Sequence, residues 1–135
     1  MPQTVMVVDD DADIVDMTRL VLEEGGYRVL PMRSGTEALQ ALEHARPDLI
    51  LLDINMPGMD GWQVLRVLKL DERTTGIPVA MFSIKMQVRD KVMGLQEGAC
   101  DFITKPFSCD DLLGRVRRIF DTLGGGAVRS GGAAE

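Results

Sequence analysis

Aromatic side chains and cysteines are scarce in this chain of 135 residues. Phenylalanine, tyrosine and tryptophan make up only 4% of it, so aliphatic side chains must fill the core that a hydrophobic content of 45% allows. The two cysteines, Cys100 and Cys109, are too few for a disulfide framework and do not form a metal-ligand pattern. We therefore expect a cytoplasmic protein with reduced thiols.

Long apolar runs and clustered basic residues are also missing. No run reaches the roughly 18 apolar residues that a membrane-spanning helix needs, and the first residues lack the pattern of a signal peptide. The formal net charge is −6, whereas nucleic-acid-binding domains concentrate Lys and Arg. We expect neither a membrane nor a nucleic acid as a direct partner.

Short apolar runs alternate with segments of helical periodicity. Several runs are continuously apolar, which is typical of strands buried on both faces of a parallel sheet. The runs cover residues 5–8, 27–30, 49–52, 79–82 and 102–103. Five strands alternating with five helices predict an α/β fold with one doubly wound, five-stranded parallel sheet.

The chain changes character after Leu123. Two groups of glycines, 124–126 and 131–132, lie in a segment without hydrophobic periodicity, which is typical of a flexible segment. The sequence thus predicts a single domain over residues 1–123 and a flexible, Gly-rich tail over residues 124–135.

Polar residues follow the predicted strands at their carboxyl ends. They are Asp9, Asp10, Asp53, Ser83 and Lys105. Because the carboxyl ends of parallel strands meet at one edge of the sheet, we expect these side chains to lie together. Crowded carboxylates favour a hard divalent cation, and Mg²⁺ takes one or two of them with other oxygens. The pattern therefore predicts a Mg²⁺ site that receives a phosphate group.

Each residue has a role in this hypothesis. Asp53 is the nucleophile, since a carboxylate can form an acyl phosphate. Asp10 and Asp53 ligate the metal, and the backbone carbonyl of Asn55 is a third ligand. Lys105 and the Ser83 hydroxyl hold phosphoryl oxygens. Taken alone, the acids after the first run could equally cap a helix; together with Asp53 and Lys105 they favour the phosphoryl site.

The motifs at these positions resemble the receiver domain of bacterial and archaeal two-component response regulators. The matching stretches are residues 7–11, 51–61 and 98–107, within a resemblance that covers roughly residues 4–123. The resemblance implies the strand order 2-1-3-4-5. It also implies a histidine kinase or phosphotransfer protein as donor, Asp53 as acceptor, and both Asp9 and Asp10 at the metal.

The resemblance further implies a switch that promotes only its own phosphorylation and dephosphorylation. Ser83 and Phe102 would move on phosphorylation and signal through the face formed by helix 4, strand 5 and helix 5, where a homodimer could form. A cis peptide bond is implied before Pro106. Ile84 departs from the small residue that is common in the family, so we expect Ile84 and Lys85 to restrict access to the acceptor.

Two other classes of protein are alternatives to the receiver-domain hypothesis. Haloacid dehalogenase-type phosphatases also combine an aspartate nucleophile, Mg²⁺, a hydroxyl and a lysine on a doubly wound sheet, but they place their acidic metal motif after the Ser/Thr and Lys. A flavodoxin-like FMN carrier needs a hydroxyl-rich phosphate loop after the first strand. Here three acids follow that strand, and they would repel a phosphate.

Overall fold

A computed structural model of the chain describes residues 2–84 and 88–128, with side chains at all of these positions except 88–90 and 124–128. Strands and helices alternate throughout. In chain order they are β1 (Thr4–Val8), α1 (Ala12–Glu24), β2 (Arg28–Met32), α2 (Gly35–Ala41), β3 (Leu49–Asp53), α3 (Gly61–Leu70), β4 (Val79–Ser83), α4 (Val88–Glu97), β5 (Asp101–Thr104) and α5 (Cys109–Val128).

The strands form one parallel sheet with the order β2-β1-β3-β4-β5, which confirms the predicted topology. The central strands are buried along their whole length: every residue of β3 and β4 is inaccessible or nearly so. These strands are continuously apolar because helices cover both faces of the sheet, as the sequence indicated.

Alternate side chains of the strands enter two separate cores. Met6 of β1 lies on one face, in a cluster with Leu65 of α3. Its neighbour Val7 lies on the other face, with Leu22 of α1 and Val116 of α5. The two-residue period of a strand thus lets α2 and α3 pack over one face, and α1 and α5 over the other.

β2 extends further than its apolar run indicated. The run ends at Leu30, but β2 continues through Pro31 to Met32 because each of its residues pairs in register with β1. β2 lies at the edge of the sheet, where a proline without an N–H is tolerated.

Asp11 begins α1. Its side chain accepts hydrogen bonds from the backbone N–H groups of Asp13 (2.9 Å) and Ile14 (3.4 Å), which satisfies two of the donors that a helix N-terminus leaves open. Helix capping therefore accounts for the third acid after β1 and leaves Asp9 and Asp10 for another role.

The last helix continues past Leu123, where we placed the start of the tail, as far as Val128. Residues 129–135 lie outside the described residues, so the flexible tail stays a prediction there. Within the described parts of the chain, no helix has the length and apolar character to cross a bilayer.

Candidate functional site

Three carboxylates meet at the carboxyl edge of the sheet. One side-chain oxygen from each of Asp9, Asp10 and Asp53 lies within 4.8 Å of the others. Asp9 and Asp53 are 1% and 4% exposed, whereas Asp10 is open to solvent. The first two acids follow β1 and the third ends β3, the neighbouring strand, so the topology itself brings them together.

A cavity of about 390 Å³ opens above these acids. Its other lining residues are Asp11, Ile14, Asn55, Ile84, Lys105 and Pro106. The cavity therefore joins most of the residues that the sequence assigned to the site: the three acids, the lysine, the asparagine and the proposed access residue Ile84. Lys85 lies outside the described residues.

Lys105 brings a buried positive charge into the cluster. Its ammonium group donates a hydrogen bond to Asp9 Oδ2, and its Nζ lies 3.4 Å from Asp53 Oδ1. The same Nζ lies 5.0 Å from the centre of the Phe82 ring, within the range of a cation–π contact. The peptide bond between Lys105 and Pro106 is cis.

Asp9 uses both of its side-chain oxygens within the chain. Oδ2 accepts from Lys105, and Oδ1 accepts from the backbone N–H of Asp11 at 3.0 Å. A cation entering the cavity would thus find the exposed carboxylate of Asp10 more accessible than that of Asp9. Two carboxylates with further oxygens are the donor set that Mg²⁺ prefers, so the residues present fit this ion.

The electrostatic balance at Asp53 favours such a cation. Burial raises the pKa of Asp53 from 3.8 to about 6. Among its neighbours, the Lys105 ammonium lowers this pKa, the Asp9 carboxylate raises it, and the backbone N–H of Asn55 lowers it. The negative charge of an ionised Asp53 is therefore only partly offset by its neighbours. A divalent cation beside the carboxylate would supply the positive charge that is lacking.

Gly61 allows the chain to fold back closely on the end of β3. A Cβ at this position would lie 2.3 Å from the carbonyl oxygen of Asp53, closer than any side chain tolerates. The Gly61 N–H donates to the carbonyl of Ile54 at 2.8 Å. This contact fixes the turn that carries Asn55 over the cavity.

The two proposed switch residues, Ser83 and Phe102, lie in the neighbouring strands β4 and β5. Ser83 ends β4 and is buried, and its carbonyl accepts the backbone N–H of Lys105 at 2.7 Å. Phe102 of β5 is 8% exposed and packs inward with Met81 in the core shared with α3. This backbone hydrogen bond thus links Ser83, which we expect to respond to the phosphoryl group, to Lys105.

Arg33 was missed by the sequence reasoning. It follows β2, and its Nη2 donates to the backbone carbonyl of Asp10 at 3.0 Å, which ties the edge strand to the loop that carries the acids. A basic residue just after a strand was the available signal. It was weak, because exposed arginines are common.

A five-stranded sheet of this order with five flanking helices and an acidic carboxyl edge is the architecture of a chemotaxis-regulator-like receiver. The crystal structure of the Vibrio cholerae chemotaxis protein CheY4 is similar, with a TM-score of 0.84 at 30% identity over 88% of this chain and 99% of that one. The chain belongs to the response regulator receiver domain family, whose sequence model matches residues 5–117.

Among curated relatives, the DNA-binding response regulator MtrA of Mycobacterium tuberculosis is 44% identical over 117 residues, 87% of this chain and 50% of that protein. The phosphate regulon transcriptional regulatory protein PhoB of Pseudomonas aeruginosa is 40% identical over 124 residues, 92% of this chain and 54% of that protein. The chain thus spans about half the length of these relatives. The family match supports neither the phosphatase nor the flavin carrier.

Proposed function

We propose that this chain is a phosphoacceptor switch in which Asp53 takes a phosphoryl group from a histidine kinase or a phosphotransfer protein. The observation that carries the proposal is the placement of a buried, incompletely compensated Asp53 3.4 Å from Lys105, in a cavity lined by three further acids. Family membership supports the same role.

Asp10, Asp53 and the carbonyl of Asn55 would hold Mg²⁺, with Asp9 close by. When bound, the ion supplies positive charge to the phosphoryl oxygens and to the acceptor. Asp53 must be ionised for this, so its raised pKa of about 6 still leaves it mostly charged at pH 7.

In the transfer step, a carboxylate oxygen of Asp53 attacks the phosphorus of the donor phosphohistidine. One P–O bond forms, the P–N bond breaks, and the imidazole leaves with the bonding electrons and takes up a proton. Lys105 and the Ser83 hydroxyl then hold two of the phosphoryl oxygens. These groups act on the chain's own acyl phosphate, so the domain is a switch rather than an enzyme with a separate substrate.

The output face consists of α4, β5 and α5. It carries mixed charges: Arg115 Nη1 lies 3.3 Å from Asp101 Oδ1, and Lys91 and Arg118 are exposed nearby. The side chain of Arg89 lies outside the described residues. Mixed charges suit a symmetric contact, because each basic group can face an acidic one of a second copy. We propose that phosphorylation favours a homodimer, or a partner protein, on this face.

The relatives named above are transcriptional regulators, and this chain matches only about half of each. With a net charge of −6, the receiver itself is poorly suited to bind DNA. We propose that it acts through protein contacts, in the cytoplasm, where a kinase can reach it.

Labelling with acetyl phosphate tests the acceptor. In Mg²⁺-containing buffer the parent should take up at most one phosphoryl group per chain, and Asp53→Asn should take up none, because an amide cannot form the acyl phosphate. Asp16→Asn, which changes an exposed aspartate of α1, is the matched control and should label like the parent. Stoichiometric labelling of Asp53→Asn contradicts the proposal, as does rapid turnover of many phosphate esters.

A further inference from the structure

Gly94 occupies an unusual place in α4. It lies within the last turn of the helix, three residues before the final residue Glu97, and it is buried. Glycine in a helix interior is unfavourable relative to alanine because it loses more backbone freedom on folding. A buried helical glycine therefore indicates that something occupies the space where a side chain would lie.

The Phe102 ring occupies that space. A Cβ built on Gly94 would lie 2.4 Å from Cζ and 2.6 Å from Cε1 of this ring. Both separations are shorter than carbon atoms tolerate, since the optimum is about 3.5–4.0 Å. The indole of Trp62 in α3 reaches the same point, with Cη2 at 3.3 Å. The inward ring of Phe102 thus requires the absence of a side chain at position 94.

Gly94 also belongs to the end of α4. Its carbonyl accepts the N–H of Ala99 at 2.8 Å, and the intervening Gly98 has a positive φ of 103°. These are features of a Schellman helix end. Displacement of the Gly94 backbone would therefore disturb the start of β5, the strand that holds Phe102. The Phe102 ring is thus easier to move than the backbone at Gly94.

We propose that Gly94 is the positioning residue that admits Phe102 to its inward place and so sets the balance between the inward and outward states of the switch. This inference rests on the proposed function in one respect, the assignment of Phe102 as the residue that reports phosphorylation. The steric relationship between the two residues is independent of it.

A Cβ at position 94 should shift the population of the switch toward the state in which the Phe102 ring lies outward. If phosphorylation favours the inward state, then linkage requires the same substitution to weaken the binding of a phosphoryl analogue. Gly94→Ala should therefore reduce the apparent affinity for beryllofluoride with Mg²⁺ by about tenfold. Trp62, the single tryptophan of the chain, provides a fluorescence signal beside the ring.

A matched glycine isolates the steric effect. Gly114 lies in the interior of α5, and a Cβ there would meet nothing within 4 Å. Gly114→Ala should raise the urea midpoint through helix propensity alone and leave beryllofluoride affinity at the parent value. Gly94→Ala should not raise the midpoint, because the gain in propensity is offset by the displaced ring.

A double variant keeps the test decisive if Gly94→Ala folds poorly. Phe102→Leu removes Cε1 and Cζ, the two atoms that clash, so adding Gly94→Ala in that background should raise the urea midpoint, as Gly114→Ala does. A fall of the midpoint in the Phe102→Leu background would show that Gly94 is needed for some other reason, and would overturn the inference.

The spectroscopic test is a nuclear Overhauser contact between the Phe102 and Trp62 rings. It should be present in the parent and lost in Gly94→Ala. Retention of this contact together with unchanged beryllofluoride affinity overturns the inference. If the parent itself fails to bind beryllofluoride, the proposed function fails, whereas the ring contact and the urea midpoints still decide whether Gly94 positions Phe102.

Discussion

The ammonium group of Lys105 is hydrogen-bonded to Asp9 and stands 3.4 Å from the nearer oxygen of Asp53. Lys105 therefore lies between two buried carboxylates, closer to the one that we do not propose as acceptor. This position leaves Asp53 facing the cavity with only partial compensation of its charge, which agrees with its raised pKa. It also means that a metal ion and Lys105 act on the same negative charges.

Removal of the Lys105 charge should strengthen metal binding. In Lys105→Met the acids lose their internal cation, so we expect the affinity for Mg²⁺ to rise roughly tenfold, a modest value for a charge within a few ångströms. Titration should be done at pH 8, because the loss of Lys105 raises the pKa of Asp53 further. Phosphoryl labelling should fall in the same variant.

Lys91→Met is the control for this experiment, since it removes an exposed lysine of α4. Equal Mg²⁺ affinities for the parent, Lys91→Met and Lys105→Met would show that Lys105 does not compete with the metal.

Asp53 should destabilise the metal-free fold at neutral pH. Its folded-state pKa of about 6 lies above the ordinary 3.8, so the folded chain binds a proton more tightly than the unfolded chain does. Acidification from pH 7 toward pH 5 therefore stabilises the fold through this group. Asp53→Asn should be more stable than the parent by about 1–2 kcal/mol at pH 7.5 in chelator, and the difference should shrink at pH 5.

Urea unfolding at the two pH values measures this difference, and added Mg²⁺ should stabilise the parent more than Asp53→Asn. A parent that gains no stability on acidification relative to the variant would be evidence against the raised pKa.

The sequence was informative where local pattern and topology suffice. The continuous apolar runs before Asp53 and Ser83 indicated central strands, and the parallel order then brought the strand-end residues to one edge. Asp9 and Asp10 became candidates because the predicted parallel order places the residues after β1 at this edge. No interatomic distance had to be known for that prediction.

Other features depend on contacts between residues that are distant in sequence. The preference of Lys105 for Asp9 over Asp53 depends on how side chains that follow three different strands are placed across the sheet. The inward ring of Phe102 depends on the missing side chain of Gly94 in another element, and the contact of Arg33 with the Asp10 carbonyl spans two loops. No periodicity or motif specifies such pairs, which is why sequence reasoning did not find them.

Phosphorylation should shift the oligomeric state through the face of α4, β5 and α5. Sedimentation with beryllofluoride and Mg²⁺ should show a dimer, and without them a monomer. Arg115→Glu should weaken that dimer by about tenfold, because it breaks the 3.3 Å pair with Asp101 and reverses a charge at the contact. Arg19→Glu on α1 is the control, as an exposed arginine in a comparable ion pair with Glu23 at 3.4 Å. A monomer under both conditions would leave only the partner-binding alternative.

Ile84 should slow both the loss and the gain of the phosphoryl group. It directly follows Ser83, is 67% exposed and lines the cavity above Asp53, so we expect its branched side chain to narrow the path by which a water approaches in line with the phosphorus. Ile84→Ala opens this entrance without removing a charged or hydrogen-bonding group. We expect hydrolysis of the acyl phosphate and labelling by acetyl phosphate each to become several-fold faster.

Leu20→Ala provides the comparison for the Ile84 experiment, because Leu20 is a similarly exposed aliphatic residue, at 64%, on α1. Its hydrolysis rate should equal that of the parent at the same Mg²⁺ concentration and pH. An acceleration of labelling without faster hydrolysis would place Ile84 on the path of the donor alone. Equal rates for Ile84→Ala and the parent in both reactions would exclude Ile84 as the access residue and would turn attention to Asn55, whose amide can hydrogen-bond the attacking water.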